Sequence, residues 1–187
     1  HGWNDTYNTL ALSRVQESRL RIARTFYGPD WAMHGTWGAA LNFSTPKFEA
    51  FCRWVGEMKE LNVTVAIQAG WWSPANTCTI GSPRKPGTPG ACVPVPAVDV
   101  PIYSRWMSGS VHELVEKRGF TNIKILVVFT EPLEYDSGTF TKGTTRRGYY
   151  ASAVRALHEQ LKADGRRSLV QLQGPNSHLL PSDLVFA

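Results

Sequence analysis

Apolar residues along this chain follow two rhythms in turn. Runs of strand length lie at Leu20 to Phe26, Val63 to Ala69, Ile123 to Phe129 and Ser168 to Gln173, bounded by turn-forming residues. The third run, Ile123-Lys-Ile-Leu-Val-Val-Phe129, is nearly unbroken Val, Ile and Leu, the pattern of a parallel strand covered on both faces. Between the runs the spacing changes to that of a helix. Phe48, Phe51, Cys52, Val55, Met58 and Leu61 form one apolar stripe, preceded by Thr45 as N-cap and Pro46 at the first helical position.

A second helix is expected from about Pro101 to Lys117, with Tyr103, Trp106, Met107, Val111, Leu114 and Val115 inward and Gly119 as its stop. A third begins near Thr144 or Thr145, turns Tyr149, Ala153, Val154, Leu157 and Leu161 inward, and ends at Gly165. Leu10 to Ser18 carries a weaker helical pattern. The stretch from Gly70 to Asp99, rich in proline and glycine, reads as loop.

Four strands separated by three helices imply right-handed crossovers and a parallel sheet, hence an α/β fold. The connections leading into the strands are short and those leaving them are long. That asymmetry predicts a working face at the strands' carboxyl ends, as in a (β/α)8 barrel. A doubly wound nucleotide-binding sheet is disfavoured, because no Gly-x-Gly-x-x-Gly or phosphate loop follows any strand. The chain shows no internal repeat beyond this alternation.

A length of 187 residues and 42% hydrophobic composition suit a single domain, 1–187, with a sizeable core. No apolar run approaches the about 18 residues that a membrane span needs, so no membrane partner is expected. The net charge of +5 is spread over separated pairs such as Arg84-Lys85, Arg146-Arg147 and Arg166-Arg167, a pattern of solvated surface rather than of nucleic-acid binding. Three sequons, at Asn4, Asn42 and Asn62, point to a secreted, extracellular glycoprotein. Cys78 and Cys92 bracket a Gly/Pro-rich loop that a disulfide would brace, while Cys52 lies in a helical stripe as a free buried thiol. His34, His112, His158 and His178 have no ligand spacing, and His1 reads as an arbitrary start rather than a copper ligand. No metal or cofactor is expected.

The chemistry concentrates at Phe129-Thr-Glu-Pro-Leu-Glu-Tyr135. Glu131 ends the third strand, and Pro132 stops the strand and biases Glu131 towards extended backbone. A carboxylate fixed at the carboxyl end of a parallel strand suits general acid/base work. Glu134 and Asp136 are the nearby acids, and the spacing gives neither a reason to face Glu131.

Phe129-Thr-Glu-Pro132 resembles the Asn-Glu-Pro that closes the fourth strand in the clan of retaining (β/α)8 glycoside hydrolases. Ala23-Arg-Thr-Phe26 is similar to that clan's second strand, and Leu172-Gln-Gly-Pro-Asn176 to the end of the fifth strand in β-xylosidase and α-L-iduronidase-like members. The resemblance spans roughly Leu20 to Asn176. It implies that Glu131 is the acid/base and that Arg24 supports the nucleophile. Thr130 stands where the clan has asparagine, which contacts the sugar 2-hydroxyl. The clan's nucleophile lies on the seventh strand, for which this sequence has no counterpart. A whole barrel takes about 250 residues, so the chain is expected to be the central portion of a barrel, about four strands with three to four helices. Further segments or a second chain would complete it.

The resulting expectation is a glycosidase that cleaves O-glycosidic bonds of a polysaccharide or oligosaccharide with retention. Glu131 is its acid/base, and Arg24, Trp71, Trp72, Thr130 and Tyr135 contact the carbohydrate. Trp71 and Trp72 directly follow a strand end, and Trp31 and Trp37 lie in the loop after the first strand. Trp54 and Trp106 sit at core spacing. The alternative is a non-catalytic carbohydrate-binding or structural remnant of the barrel.

Overall fold

The computed structural model describes residues 13–33, 38–69, 96–128 and 146–174. Four strands form one sheet, β1 (Ile22–Tyr27), β2 (Thr64–Ala69), β3 (Ile123–Val127) and β4 (Gln171–Gln173), in the order β1-β2-β3-β4 with every neighbour parallel. Three helices alternate with them: α1 (Pro46–Glu60), α2 (Pro96–Val111) and α3 (Arg146–Ala163). A π-helical segment, His112–Lys117, prolongs α2, and a 3-10 turn, Pro29–Trp31, follows β1.

Alternation along the strands gives the sheet two unlike faces. Ala23 and Tyr27 of β1, Val65 and Ile67 of β2, and Ile123 and Leu126 of β3 join a single buried cluster with residues from all three helices. The helical contribution includes Phe48, Val55 and Met58 of α1, Tyr103, Trp106 and Met107 of α2, and Tyr150, Leu157 and Leu161 of α3. Each fully buried large side chain contributes roughly 1.5–3 kcal/mol. At its centre Tyr27 stacks on Trp106 (centroids 5.3 Å apart, planes 16° apart) and meets Trp31 edge-on at 5.6 Å. The Ser110 hydroxyl donates to the Trp106 carbonyl, so the Tyr27 hydroxyl donates to Ser110 Oγ at 2.9 Å. Burial pushes the Tyr27 phenol well above its ordinary pKa.

Helix α1 starts where its sequence indicates. Thr45 Oγ1 accepts from the Phe48 amide and donates to the Trp31 carbonyl, with Pro46 at the first position. Cys52 is free and buried, its thiol pKa pushed up to about 11 chiefly by desolvation.

Several boundaries differ from the sequence pattern. Helix α2 begins at Pro96 rather than near Pro101, so Pro101 lies inside the helix. There it withholds one amide from the ladder, a cost carried by the burial of Val100, Ile102 and Tyr103. The last turn of the expected helix is π rather than α, closed by the Arg118 amide on the Glu113 carbonyl and by Gly119 at φ +69°. Strand β4 is shorter than Ser168 to Gln173, because residues 167–169 form a turn closed by the Leu169 amide on the Arg166 carbonyl. Strand β1 begins at Ile22 rather than Leu20 and runs on to Tyr27. Residues 13–17 are helical, within the expected Leu10 to Ser18 stretch. In α3, Tyr150, Ala153, Leu157 and Leu161 are buried, whereas the Tyr149 side chain and the Thr144 or Thr145 cap lie outside the described residues.

Two polar clusters tie the helical layer together. The Arg118 guanidinium binds both oxygens of Glu49 at 2.7 and 2.9 Å, Glu113 at 3.0 Å and the Phe43 carbonyl at 3.2 Å, and lies 5.0 Å from the Phe48 ring centroid. Arg166 joins Glu116 at 2.7 Å and Asp164 at 3.0 Å. Ser108 adds a bond to Asp164, and His112 one to Glu116.

Arg118→Met is expected to cost about 1–3 kcal/mol at pH 7, because it leaves the Glu113 carboxylate, 13% exposed, without its guanidinium. Arg118 holds the Glu49 carboxyl below its ordinary pKa of 4.5. Stabilisation from a lowered carboxyl pKa is full above the unfolded value and is lost as pH falls through the folded one. The difference between wild type and variant in urea unfolding should therefore shrink as pH drops below the carboxylate range. A constant difference from pH 7 to pH 3 would refute the ion-pair account. At the far edge of the sheet, a Cβ on Gly174 would overlap the Tyr150 hydroxyl. Gly174→Ala should lower the thermal midpoint, and Gly174→Ala/Tyr150→Phe should recover part of the loss. No recovery in the double variant would show that the overlap is not the cause.

Candidate functional site

The connections that leave the strands, residues 28–45, 70–95 and 128–145, all emerge on the carboxyl edge of the sheet. Those that enter the strands are short and ordered by local bonds. Asn62 turns the chain from α1 into β2 at φ +55°, and the Asn122 carboxamide donates to the Val55 and Val63 carbonyls, 3.2 Å each. The amino edge is thus built for rigidity and the carboxyl edge carries the long segments.

Of the residues expected to contact the carbohydrate or act on it, Arg24 alone is among those described. It sits mid-way along β1, exposed, paired in register with Ala66, on the face opposite the helices. No hydrogen bond or ion pair links its guanidinium to another described residue. Ile22 and Phe26 share its face, 53% and 50% exposed. Strand β3, which leads towards Glu131, runs parallel to β1 with only β2 between them. Val128 extends the ladder by one further bond, its amide donating to the Gln173 carbonyl at 3.0 Å. Glu131, Thr130, Tyr135, Trp71, Trp72 and Trp37 lie outside the described residues, as do Glu134, Asp136, Cys78, Cys92 and Asn4.

Three tryptophans belong to the packing. Trp106 is 2% exposed under Tyr27, Trp54 stacks on Phe51, and Trp31 lies partly buried against Tyr27 and Phe51. Trp31, in the loop after the first strand, therefore packs on the core. Asn42 and Asn62 are both exposed. The Asn42 carboxamide accepts from the Ser44 amide.

The face that carries Arg24 holds residues that the sequence reading passed over. Register puts Phe26, Gln68, Val127 and Gln173 in one row across the four strands, nearest the carboxyl edge. The row beneath is Arg24, Ala66, Ile125 and Gln171. Gln68 is fully buried and Gln171 and Gln173 are exposed. The available signal was positional: polar residues at the carboxyl ends of otherwise apolar parallel strands.

Among the described residues no three His, Cys, Asp or Glu side chains gather as a metal site would require, and no helix is long and apolar enough to cross a membrane. A cleft lined by Val15, Arg19, Leu20, Arg21, Leu61 and Val63 lies at the amino edge, away from Arg24 and the long connections. Comparison with protein-family models and with curated proteins found no match.

Proposed function

We propose that this chain forms part of a (β/α)8-type barrel that cleaves O-glycosidic bonds of a polysaccharide or oligosaccharide with retention, Glu131 serving as general acid/base. The observation that carries the reading is the placement of β1 and β3. The strand with Arg24 and the strand leading to Glu131 are parallel, about 10 Å apart at two strand spacings, and open on the same edge. Glu131 follows Val128 by three residues, so chain reach keeps it within about 11 Å of that edge. The barrel is supported by the consecutive strand order and by the packing of the described helices α1, α2 and α3 on one face. A doubly wound sheet instead reverses its order and carries helices on both faces.

In this mechanism Glu131 protonates the glycosidic oxygen as the bond to the anomeric carbon breaks. A second carboxylate, about 5–5.5 Å away, attacks that carbon from the opposite side. Glu131 then takes a proton from the water that releases the sugar. The second carboxylate comes from outside the four-stranded segment. Arg24, exposed and without a partner among the described residues, holds it ionised through charge and hydrogen bonds. Thr130 contacts the sugar 2-hydroxyl, and Trp71, Trp72 and Tyr135 stack on sugar faces. The reading includes an extracellular setting, with glycans at Asn4, Asn42 and Asn62 and a Cys78–Cys92 disulfide. No nucleic acid, membrane or cofactor takes part.

The test is turnover of chromogenic aryl glycosides by the wild type and Glu131→Gln, with the product anomer followed by NMR. The variant should lose about 10²–10⁴-fold in kcat, and the first-formed product should keep the substrate's configuration. Equal activity in both would remove Glu131 from the mechanism. Oligosaccharide binding by both without turnover by either would favour the non-catalytic carbohydrate-binding reading.

A further inference from the structure

We infer that the outer edge of β1, together with the segment that leads into it, is a docking surface for an acidic, extended segment of a partner polypeptide, which adds to the sheet as a further strand. The inference goes beyond the carbohydrate reading above and stands whether or not Glu131 is catalytic.

Three features coincide there. The first is apolar surface. Among the described residues, the large apolar side chains left exposed are Leu20, Ile22 and Phe26, at 40%, 53% and 50%, and all three lie in or beside β1. The second is charge. Residues 13–27 hold Arg14, Arg19, Arg21 and Arg24 against one acid, Glu17. All four arginines are exposed, and none forms an ion pair with a described residue. Arg118 and Arg166, by contrast, each bind two carboxylates. Arg19 and Arg21 flank Leu20 and line with it a cleft of about 190 Å³ whose other walls include Val15, Leu61 and Val63. The third is backbone. The Thr64 amide donates to the Arg21 carbonyl at 2.9 Å, so Arg21 turns its peptide groups towards β2. Strand alternation then sends the N–H and C=O groups of Ile22, Arg24 and Phe26 to the outer side, where no described strand meets them.

The chemistry of the edge selects its occupant. A row of outward amides and carbonyls is used in full by another extended backbone, which favours a polypeptide strand over a carbohydrate or a lipid surface. An acid opposite the Arg24 guanidinium and an apolar residue opposite each of Ile22 and Phe26 would pair favourably across the strands. Further acids at the amino end of the edge would meet Arg19 and Arg21. A second copy of this chain does not fit. Two β1 edges in two-fold contact would bring the same arginines together, and like charges facing across strands are destabilising. The arginines thus exclude one partner and select another, which is how specificity is built at an exposed edge. The five donors of the Arg24 guanidinium leave it able to hold a second carboxylate as well.

The experiment uses the full chain and a probe peptide capped at both ends, Glu-Val-Thr-Glu-Thr-Val-Glu, which reads the same in either direction. Backbone amide exchange in β1 is followed by NMR with and without it. The peptide should slow exchange at Ile22, Arg24 and Phe26 about tenfold or more, and leave Ala23 and Thr25, which face β2, within about twofold. The same peptide with lysine for each glutamate should have no effect. Arg19→Asn/Arg21→Gln should keep the thermal midpoint, asparagine being tolerant of the φ of +52° at Arg19, and should weaken binding about three- to tenfold. Slow exchange at Ile22, Arg24 and Phe26 in the dilute chain alone would show the edge already paired and overturn the inference. Protection that grows with protein concentration would overturn it in favour of a second copy. So would equal binding of the lysine peptide, no binding of the glutamate peptide, or binding of phosphatidylserine vesicles in its place, each of which removes the acidic strand as occupant. None of these outcomes alters the test of Glu131.

Discussion

The fold depends on burying one face of a four-stranded parallel sheet beneath α1, α2 and α3. Parallel neighbours in consecutive order require crossovers of the same right hand, and each such crossover returns to the same side. Ala23, Tyr27, Val65, Ile67, Ile123 and Leu126 consequently meet α1, α2 and α3 in one continuous core. The Tyr27–Trp106 stack is its pivot, because it joins the end of the edge strand to the middle of α2. The Tyr27 hydroxyl within it is provided for by Ser110. Every other feature follows from this arrangement. The opposite face meets none of these three helices, and the connections that leave the strands all start from one edge.

The helices themselves are joined by charge as well as by packing. Arg118 links the first turn of α1 to the end of the π segment, and Arg166 links that segment to the turn between α3 and β4. Both guanidiniums are partly buried, and both use planar, multidentate bonding that a lysine could not reproduce. Burial of the Arg118 fork beside Phe48 and Glu113 removes it from the class of surface ion pairs that contribute little. This bracing fixes the helical layer, and through it the strands that carry Arg24 and Gln173.

Much of the architecture was readable in the residue pattern, for physical reasons that can be named. Thr45-Pro46 marks a helix start because hydroxyl capping and a fixed φ act locally, and α1 begins there. Apolar runs gave the strands to within a few residues because parallel strands bury most of their length. The start of α2 was hidden because Pro101 reads as a first-turn residue, whereas tertiary burial carries the helix through it from Pro96. Ser168 and Leu169 look like strand but are held in a turn by a backbone bond that no side chain announces. The site was less legible. Arg24 stood out as a charge within an apolar strand, and it lies exposed on the face opposite the described helices. Gln68 and Gln173 did not stand out, since a glutamine near a strand end is unremarkable until register aligns it with others.

The face opposite the described helices mixes half-exposed apolar residues with a charge. Ile22 and Phe26 are half exposed on an edge strand whose outer side pairs with no described strand, an arrangement that costs burial energy and invites association. Arg24 sits between them, and a charge inside an edge strand is one of the devices that discourage unwanted pairing. That role alone would not place carboxamides at the opposite end of the same rows, where Gln171 and Gln173 are exposed on β4. If the sheet curves on towards a barrel, the two ends of each row approach one another and the polar ends share one interior. A barrel interior is normally filled by branched apolar layers. Polar side chains at its rim would then be satisfied by each other, by water or by a ligand, which apolar residues in the same places would not require.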